Sequence, residues 1–205
     1  MPADHLFHLL RSYDPSDVSM QQFYAVWCEG IPVEEAVVLL NGDPGTAVPD
    51  SFAGWGSGSD GSGDEAGGLF AGTLGGWTVL IGDYRVTENE ALLALSRDDR
   101  RALAISWDLH GENTLKYAQD GELITVLDVI DTNYRSGRDP DALDPYLHGL
   151  RFNIDERKPG VPVIDPRESF TSALVAIGRM VGHEIDKEWL DATHTSYVVW
   201  AEGLD

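Results

Sequence analysis

Basic side chains are scarce in this sequence, and the scarcity is greatest near its start. The chain has 14 Lys and Arg against 35 Asp and Glu, a formal net charge of -21 over 205 residues. Arg11 is the one basic residue among positions 1–84, which carry twelve acidic residues. Such a surface repels nucleic-acid phosphates and anionic membranes and attracts basic partners. The charge therefore favours a basic protein partner; an acidic proteome in a salt-adapted organism is the alternative explanation.

Cysteine and long apolar runs are also lacking. Cys28 is the single cysteine, which excludes an internal disulfide and an all-cysteine metal site. No apolar run reaches the roughly 18 residues that a membrane-spanning helix needs. The segment from Met1 to Asp4 has neither the basic nor the apolar region of a secretory signal. We therefore expect a protein of the reducing cytoplasm.

The chain contains one low-complexity segment. Seven of the fifteen residues at 54–68 are glycine, and Ser and Asp fill most of the rest. This composition predicts a flexible loop. The hydrophobic fraction of 42% nevertheless indicates a folded protein. We expect a single domain over residues 1–205 with a loop at 54–68.

Periodic apolar patterns predict the elements of the N-terminal half. A helix is expected over 3–13, a strand over 22–28, and a helix from Pro32 to Leu40 capped by Gly42. Residues 77–81 read as a strand that is apolar on both faces and needs cover on both sides. Thr87 and Glu90 have the spacing of a capping box, which predicts a helix reaching about Arg97.

The clearest pattern is a three-stranded antiparallel meander. Its strands are predicted over 101–109, 114–119 and 122–128, with Asp120-Gly121 as the two-residue turn between the last two. Further on, short helices are expected from Asp139 to about His148 and after Asp186. A longer helix is expected from Asp165 to Gly182, and an edge strand over 197–200. Irregular alternation of strands and helices predicts an α+β fold: an antiparallel sheet containing the meander at about 101–128, packed with N- and C-terminal helices.

Five short stretches, taken in order, carry a resemblance. The stretches are Phe23-Tyr24-Ala25-Val26-Trp27-Cys28-Glu29-Gly30, Gly75-Gly76-Trp77-Thr78-Val79, Tyr117-Ala118-Gln119-Asp120-Gly121-Glu122, Asp139-Pro140-Asp141-Ala142-Leu143 and Ala173-Leu174-Val175-Ala176-Ile177. Their order resembles an actinobacterial family of acidic proteins known only as a domain of unknown function. The resemblance covers most of residues 20–190, and the 54–68 segment looks like an insertion. It implies no activity and no functional residue.

Two acidic clusters are candidates for chemistry. Asp108, His110 and Glu112 crowd the turn after the first meander strand, where an acid, a base and a second acid could serve acid–base catalysis. Asp128 and Asp131 leave the third strand near two arginines and could bind a metal or an anion. Polar hairpin residues and solvated ion pairs are the ordinary explanations for these clusters.

Other motifs fall short of a metal or cofactor site. His5 and His8 lack a third ligand, and His183-Glu184 lacks the second histidine of a zinc protease. Asp60, Ser62 and Asp64 imitate the start of a calcium loop, but its later glycine and acid are absent. Cys28 lies beside an acid in a strand pattern, which predicts a buried structural thiol. We therefore predict no metal and no cofactor.

The function that the sequence favours is a non-enzymatic module that presents carboxylates to a basic protein, as an immunity or antitoxin-like inhibitor or a nucleic-acid mimic does. The partner-binding acids are expected on or near the antiparallel sheet: Asp108, Glu112, Asp120, Glu122 and Asp128. One alternative is a small hydrolase that uses Asp108, His110 and Glu112, or the Asp128 and Asp131 pair where the third strand ends. Another is a small-ligand sensor with an aromatic pocket near Trp55 and Trp77. Trp27, Trp77 and Trp107 are expected in the core.

Overall fold

The computed structural model describes residues 3–13, 22–58, 66–108, 111–152 and 164–200. The α-helices are α1 His5–Arg11, α2 Val33–Leu39, α3 Phe52–Gly58, α4 Asn89–Leu95, α5 Asp144–Leu147, α6 Pro166–Val181 and α7 Lys187–Asp191. The strands are β1 Phe23–Glu29, β2 Gly42–Asp50, β3 Ala66–Leu74, β4 Trp77–Ile81, β5 Arg101–Trp107, β6 Thr114–Gln119, β7 Glu122–Asp128, β8 Arg135–Ser136 and β9 His194–Trp200. A 3-10 helix, Tyr84–Thr87, precedes α4.

These strands form one nine-stranded sheet in the order β2-β9-β3-β4-β1-β5-β6-β7-β8. Each neighbouring pair is antiparallel. The predicted α+β fold class is therefore confirmed. No helix in the described ranges is long and apolar enough to span a bilayer.

Strand β1 holds the centre of the sheet, and both of its faces are buried. Phe23, Ala25 and Trp27 belong to one apolar cluster, which α1, α6 and α7 cover with their own buried side chains. Val26 and Cys28 point into a second cluster, which contains buried side chains of α2 and α4. Strand β1 is paired on both edges and covered by helices on both faces. Its side chains are therefore apolar on both faces of the sheet.

The predicted three-stranded meander forms, although its first strand, β5, ends at Trp107 and not at position 109. Strands β5, β6 and β7 pair in sequence, and Gln119 faces Glu122 across the two-residue turn. Asp120 and Gly121 have φ of 51° and 71°, the left-handed values that a type I′ turn requires. A register shift between Tyr117 and Ala118 shows a bulge that the sequence did not predict.

Helices α6 and α7 begin at their predicted caps, and α6 ends at its predicted glycine. The Asp165 carboxylate accepts a hydrogen bond from the Arg167 amide at 2.9 Å, and Gly182 ends α6 with φ of 85°. The Asp186 carboxylate accepts one from the Trp189 amide at 2.8 Å and caps α7. The apolar face of α6 then stacks Phe170 on Trp107, with ring centroids 4.7 Å apart.

Local cap predictions were wrong at three helices. Asn41, with φ of 58°, follows α2 in the left-handed conformation, while Gly42 already belongs to β2. Thr87 lies in the 3-10 helix and its hydroxyl donates to the Tyr84 carbonyl, so it does not cap α4. The predicted start at Asp139 is also wrong, because turns occupy 140–143 before α5 begins.

Two further predictions were wrong at the other side of the sheet. Strand β9 is not an edge, because β2 pairs with its outer side. Pro44 and Pro49 in β2 hid this strand from sequence reasoning, yet proline is tolerated at an edge. The ends of the predicted 54–68 loop are regular structure, since α3 reaches Gly58 and β3 starts at Ala66. The intervening residues 59–65 lie outside the described ranges.

Candidate functional site

The five acids expected to bind a partner lie at opposite ends of the meander. Asp108 follows β5, Glu112 precedes β6, and Asp128 ends β7 opposite Thr114. Asp120 and Glu122 lie at the far turn. Six residues of β6 at about 3.4 Å each separate the two ends by roughly 20 Å. The acids therefore form two groups, which we call the β5–β6 loop end (Asp108, Glu112 and Asp128) and the β6–β7 turn end (Asp120 and Glu122).

Asp108 at the β5–β6 loop end organises its own loop. Its Oδ2 accepts a hydrogen bond from the Tyr24 hydroxyl at 2.9 Å, and its Oδ1 accepts one from the Glu112 amide at 3.1 Å. Burial, the bond to Asp108 and the charge of that carboxylate raise the pKa of Tyr24. Tyr24 therefore remains a hydrogen-bond donor at neutral pH. His110, the proposed base, lies outside the described residues.

Asp128 and Asp131 are bonded to backbone amides of their own turn. Asp128 Oδ1 accepts hydrogen bonds from the amides of Ile130 and Asp131 at 2.8 and 3.0 Å. Asp131 Oδ1 accepts from the Asn133 amide and side chain. The nearby arginines bind other acids: Arg135 pairs with Asp141 and Asp144, and Arg138 with Glu122. Asp128 and Asp131 therefore stabilise their own turn, and the two arginines form ion pairs with other acids.

A row of polar side chains crosses the sheet at the β5–β6 loop end. Tyr24 on β1 faces Ser106 on β5, Ser106 faces Thr114 on β6, and Thr114 faces Asp128 on β7. The Ser106 and Thr114 hydroxyls are 2.9 Å apart. The sequence did not predict this row, because only the apolar residues that alternate along β5 were used to interpret that strand. Ser106, placed between Ile105 and Trp107, was the available signal.

Lys116 lies on the same face of β6, two residues beyond Thr114. It faces Ala104 and Val126, and its half-buried ammonium donates to the Thr87 carbonyl at 2.8 Å. Burial lowers the pKa of Lys116, while the charges of Glu112 and Glu88 oppose that effect. The side chain thereby connects the sheet to the segment that leads into α4.

The β6–β7 turn end contains both signs of charge. Arg101 donates to both carboxylate oxygens of Glu29, at 2.6 and 2.5 Å, and this bond lowers the pKa of Glu29. Arg100 pairs with Glu35 at 2.9 Å. By contrast, among the described residues Glu88 and Glu112 at the other end form no ion pair within 4.0 Å. Asp120 at the turn end likewise forms no ion pair in the described ranges, so carboxylates without an ion pair lie at both ends of the meander.

The remaining candidate motifs are the histidine pairs, the calcium-loop pattern and Cys28. His8 pairs with Asp4 at 2.8 Å, and no group of three or more metal-binding side chains occurs in the described part of the chain. Asp60, Ser62 and Asp64 fall outside it, and Glu184 of the exposed His183-Glu184 pair packs beside Gly178 of α6. Cys28 is fully buried, and burial raises the pKa of its thiol, as expected for a structural cysteine.

Most of the tryptophans contribute to the core, whereas Trp200 is half exposed. Trp27, Trp77 and Trp107 are buried, as predicted. Trp55 is half-buried and lies against Phe52 and Phe70. A small, mostly apolar cleft with a cavity volume of only about 10 Å³ lies between α1 and α6, where Leu9, Trp27 and Ile177 line it. Neither Trp55 nor Trp77 lines this pocket, so it does not support the aromatic-pocket alternative.

Comparison with known protein families identifies one family that matches this chain. A model described as a family of unknown function (DUF6461) matches residues 51–200. The chain belongs to the DUF6461 family. No curated protein matches it, and no solved structure does. The DUF6461 match supports the resemblance to a domain of unknown function.

The DUF6461 match begins after the first fifty residues, within which α1, β1, α2 and β2 lie. Strand β1 nevertheless pairs with β4 on one side and β5 on the other. Both of these strands are inside the matched region. The central strand of this DUF6461 sheet is therefore contributed by residues outside the match.

Proposed function

We propose that this protein is a non-enzymatic acidic module that binds a basic protein partner at the β5–β6 loop end. One observation carries the proposal: Glu88 and Glu112 lie there without an ion pair among the described residues, in a chain of net charge -21. Asp108 adds a third carboxylate to that surface. Unneutralised carboxylates raise the association rate with a positively charged surface and reject phosphate-rich polymers.

The sheet supports such a role because it anchors Asp108 at the loop end. Asp108 is fixed by Tyr24 and by the Glu112 amide, and Tyr24 belongs to the central strand. A preorganised surface loses little conformational entropy on binding. The roles that suit it are an immunity or antitoxin-like inhibitor, or a nucleic-acid mimic that occupies a basic cleft.

The remaining expectations belong to the same proposal. We infer that acidity is shared across the family, that this chain is actinobacterial, and that it works in a reducing cytoplasm. The buried, unpaired Cys28 is compatible with that compartment.

Matched charge variants test the proposal. Tagged wild-type protein is used to capture partners from host lysate at low and at high salt. Glu88→Gln/Glu112→Gln removes two charges at the β5–β6 loop end, and Asp120→Asn/Glu122→Gln removes two at the β6–β7 turn end. Glu34→Gln/Glu188→Gln removes two on α2 and α7 as the control. We expect one basic protein that is lost at high salt and is weakened selectively by the first variant.

Two results would contradict this model. Equal weakening by all three variants would show dependence on net charge without a defined surface. Capture that is insensitive to salt, or no specific capture at all, would remove the acidic-partner function.

An enzymatic role for the Asp108 loop is the second candidate. The contact between the Glu112 amide and Asp108 Oδ1 brings its two acidic residues together. A hydrolase using this loop would lose turnover on His110→Ala with little change in melting temperature. Unaltered turnover in that variant would eliminate the idea.

A further inference from the structure

The two outermost strands at one side of the sheet, β2 and β9, have an exposed apolar face. Val48 on β2 lies opposite Ser196 on β9, and directly opposed residues share a face. Because side chains alternate along a strand, Val198 and Trp200 lie on that face with Ser196. Val48 and Trp200 are 54% and 50% exposed, and Val198 is partly buried. We call this strip the β2–β9 face (Val48, Val198 and Trp200).

The exposure begins where the helices on that side of the sheet end. Phe70 on the next strand, β3, is fully buried on the same side, against Trp55 of α3 and Trp189 of α7. On the other side of β9, Tyr197 and Val199 are buried in the second apolar cluster. The β2–β9 face is therefore the exposed continuation of a surface that is covered over β3.

Carboxylates lie near both ends of the β2–β9 face. Asp43 is opposite Val198, whereas Asp50 is opposite His194 and accepts a hydrogen bond from the Ser196 hydroxyl at 2.7 Å. Within the described ranges neither carboxylate has an ion pair within 4.0 Å. Strands β2 and β9 contain no Lys or Arg. The apolar strip therefore has negative charge beside it that no basic side chain of these strands neutralises.

The same strands disfavour other occupants. Pro44 and Pro49 lack amide hydrogens, and the register of β2 shifts between Asp43 and Val48, so a further strand pairs poorly with its outer edge. A second copy of this chain would bring two acidic faces together at a net charge of -21 each. An anionic membrane is repelled for the same reason.

We propose that the β2–β9 face docks a protein whose contact surface is apolar at its centre and carries Lys or Arg around it. Exposed apolar patches bordered by polar residues are typical of protein interfaces, and tryptophan is enriched among the residues that dominate binding. Trp200 is the anchor, and Asp43 and Asp50 attract the basic rim. The inference is independent of the β5–β6 loop end, because β3, β4 and β1 separate the two surfaces.

Defined peptides test the docking surface on the full chain. Three dye-labelled helical peptides are compared by fluorescence anisotropy: one of Leu and Lys, one of Gln and Lys with the same charge, and one of Leu and Glu. We expect the Leu/Lys peptide to bind and Trp200→Ala to weaken it about tenfold or more. Tyr134→Ala, which removes an exposed ring beside β8, is the matched control and should leave binding unchanged. The Gln/Lys peptide should bind weakly and equally to both variants.

Photo-crosslinking then locates the contact. A Leu/Lys peptide that carries a benzophenone should crosslink to β2 and β9. Val48→Ser should also weaken its binding, which keeps the test decisive if Trp200→Ala fails to fold. Glu88→Gln/Glu112→Gln should retain the Trp200-dependent binding, so failure of the β5–β6 loop proposal is distinguishable from failure of this one.

Four outcomes would overturn the inference. Equal affinities of wild type and Trp200→Ala together with Val48→Ser would show that the face does not bind. Equal binding of the Leu/Glu peptide would remove the basic rim from the partner's description. A dimer in sedimentation that Trp200→Ala abolishes would identify a second copy as the occupant. Trp200-dependent binding to phosphatidylcholine vesicles would identify a lipid surface instead.

Discussion

Gly137 occupies a position where the structure cannot accept a side chain. It has φ of 111°, and a Cβ built there would lie 2.3 Å from the carbonyl oxygen of Ile124 in β7. Gly111 has a comparable φ of 91° but open space around the same position. We expect Gly111→Ala to cost roughly 1–2 kcal/mol from backbone strain. Gly137→Ala adds a backbone clash and should cost more, about 3 kcal/mol. Urea unfolding of both variants measures the difference, and equal losses would contradict the clash.

Cys28 predicts a pH dependence. Burial raises the pKa of its folded thiol, whereas the ordinary value is 9.0. A raised folded pKa stabilises the protein fully below the unfolded pKa, and this contribution is lost as pH rises above it. Above pH 9 the unfolded thiol ionises while the folded one stays protonated, so stability falls by about 1.4 kcal/mol per pH unit.

Cys28→Ala isolates that contribution. The difference in unfolding free energy between wild type and variant should shrink by roughly 1.4 kcal/mol from about pH 8 to about pH 10. Tyr24 also has a raised pKa, but it is present in both proteins and cancels. A difference that stays constant with pH would show that the thiol ionises equally in both states.

At the scale of the element, α6 depends on its first turn. Asp165 accepts from the Arg167 amide at 2.9 Å, and the helix it starts places Phe170 against Trp107. Asp165→Ala should destabilise the protein by about 1 kcal/mol, because a free amide loses its acceptor. Asp165→Asn keeps the acceptor and should lose less. Thermal unfolding of the two variants checks this, and equal losses would indicate that charge, not capping, matters.

The elements that were predicted correctly from the sequence are determined by interactions between residues close together in the chain. The Asp120-Gly121 turn, the Asp165 and Asp186 caps and the two-sided apolar patterns of β1 and β4 depend on few neighbouring residues. Strand β2 was missed because its stability comes from β9, which is more than 140 residues away in the chain. Its prolines gave the opposite local signal. Tertiary pairing therefore overrode local propensity at this edge.

The candidate site was predictable only in part for a similar reason. Asp108 and Glu112 were recognised because they are close in sequence, and their contact exists. Tyr24 and Lys116 were missed, because pairing of β1, β5 and β6 brings them to the same face of the sheet. The separation of the five acids into two ends likewise follows from strand register, which composition does not report.

At the scale of the whole molecule, the first fifty residues complete the fold. Strand β1 fills the position between β4 and β5, and Trp27 is almost fully buried in the larger core. Residues 51–200 alone would leave three strands, β4, β5 and β9, each with a newly unpaired edge, and an apolar gap at the centre of the sheet. Unpaired edges and exposed core surface favour aggregation.

This arrangement predicts complementation between two fragments. The fragment 51–200 should be insoluble or unfolded when expressed alone, and co-expression with 1–50 should recover a soluble complex with native-like circular dichroism. Trp27→Ala in the 1–50 fragment should reduce recovery, because burying a tryptophan is worth about 3–5 kcal/mol. Val38→Ala, at an exposed position of α2, is the matched control and should recover fully. A cooperatively folded 51–200 fragment would instead show that the family region closes its own sheet without β1.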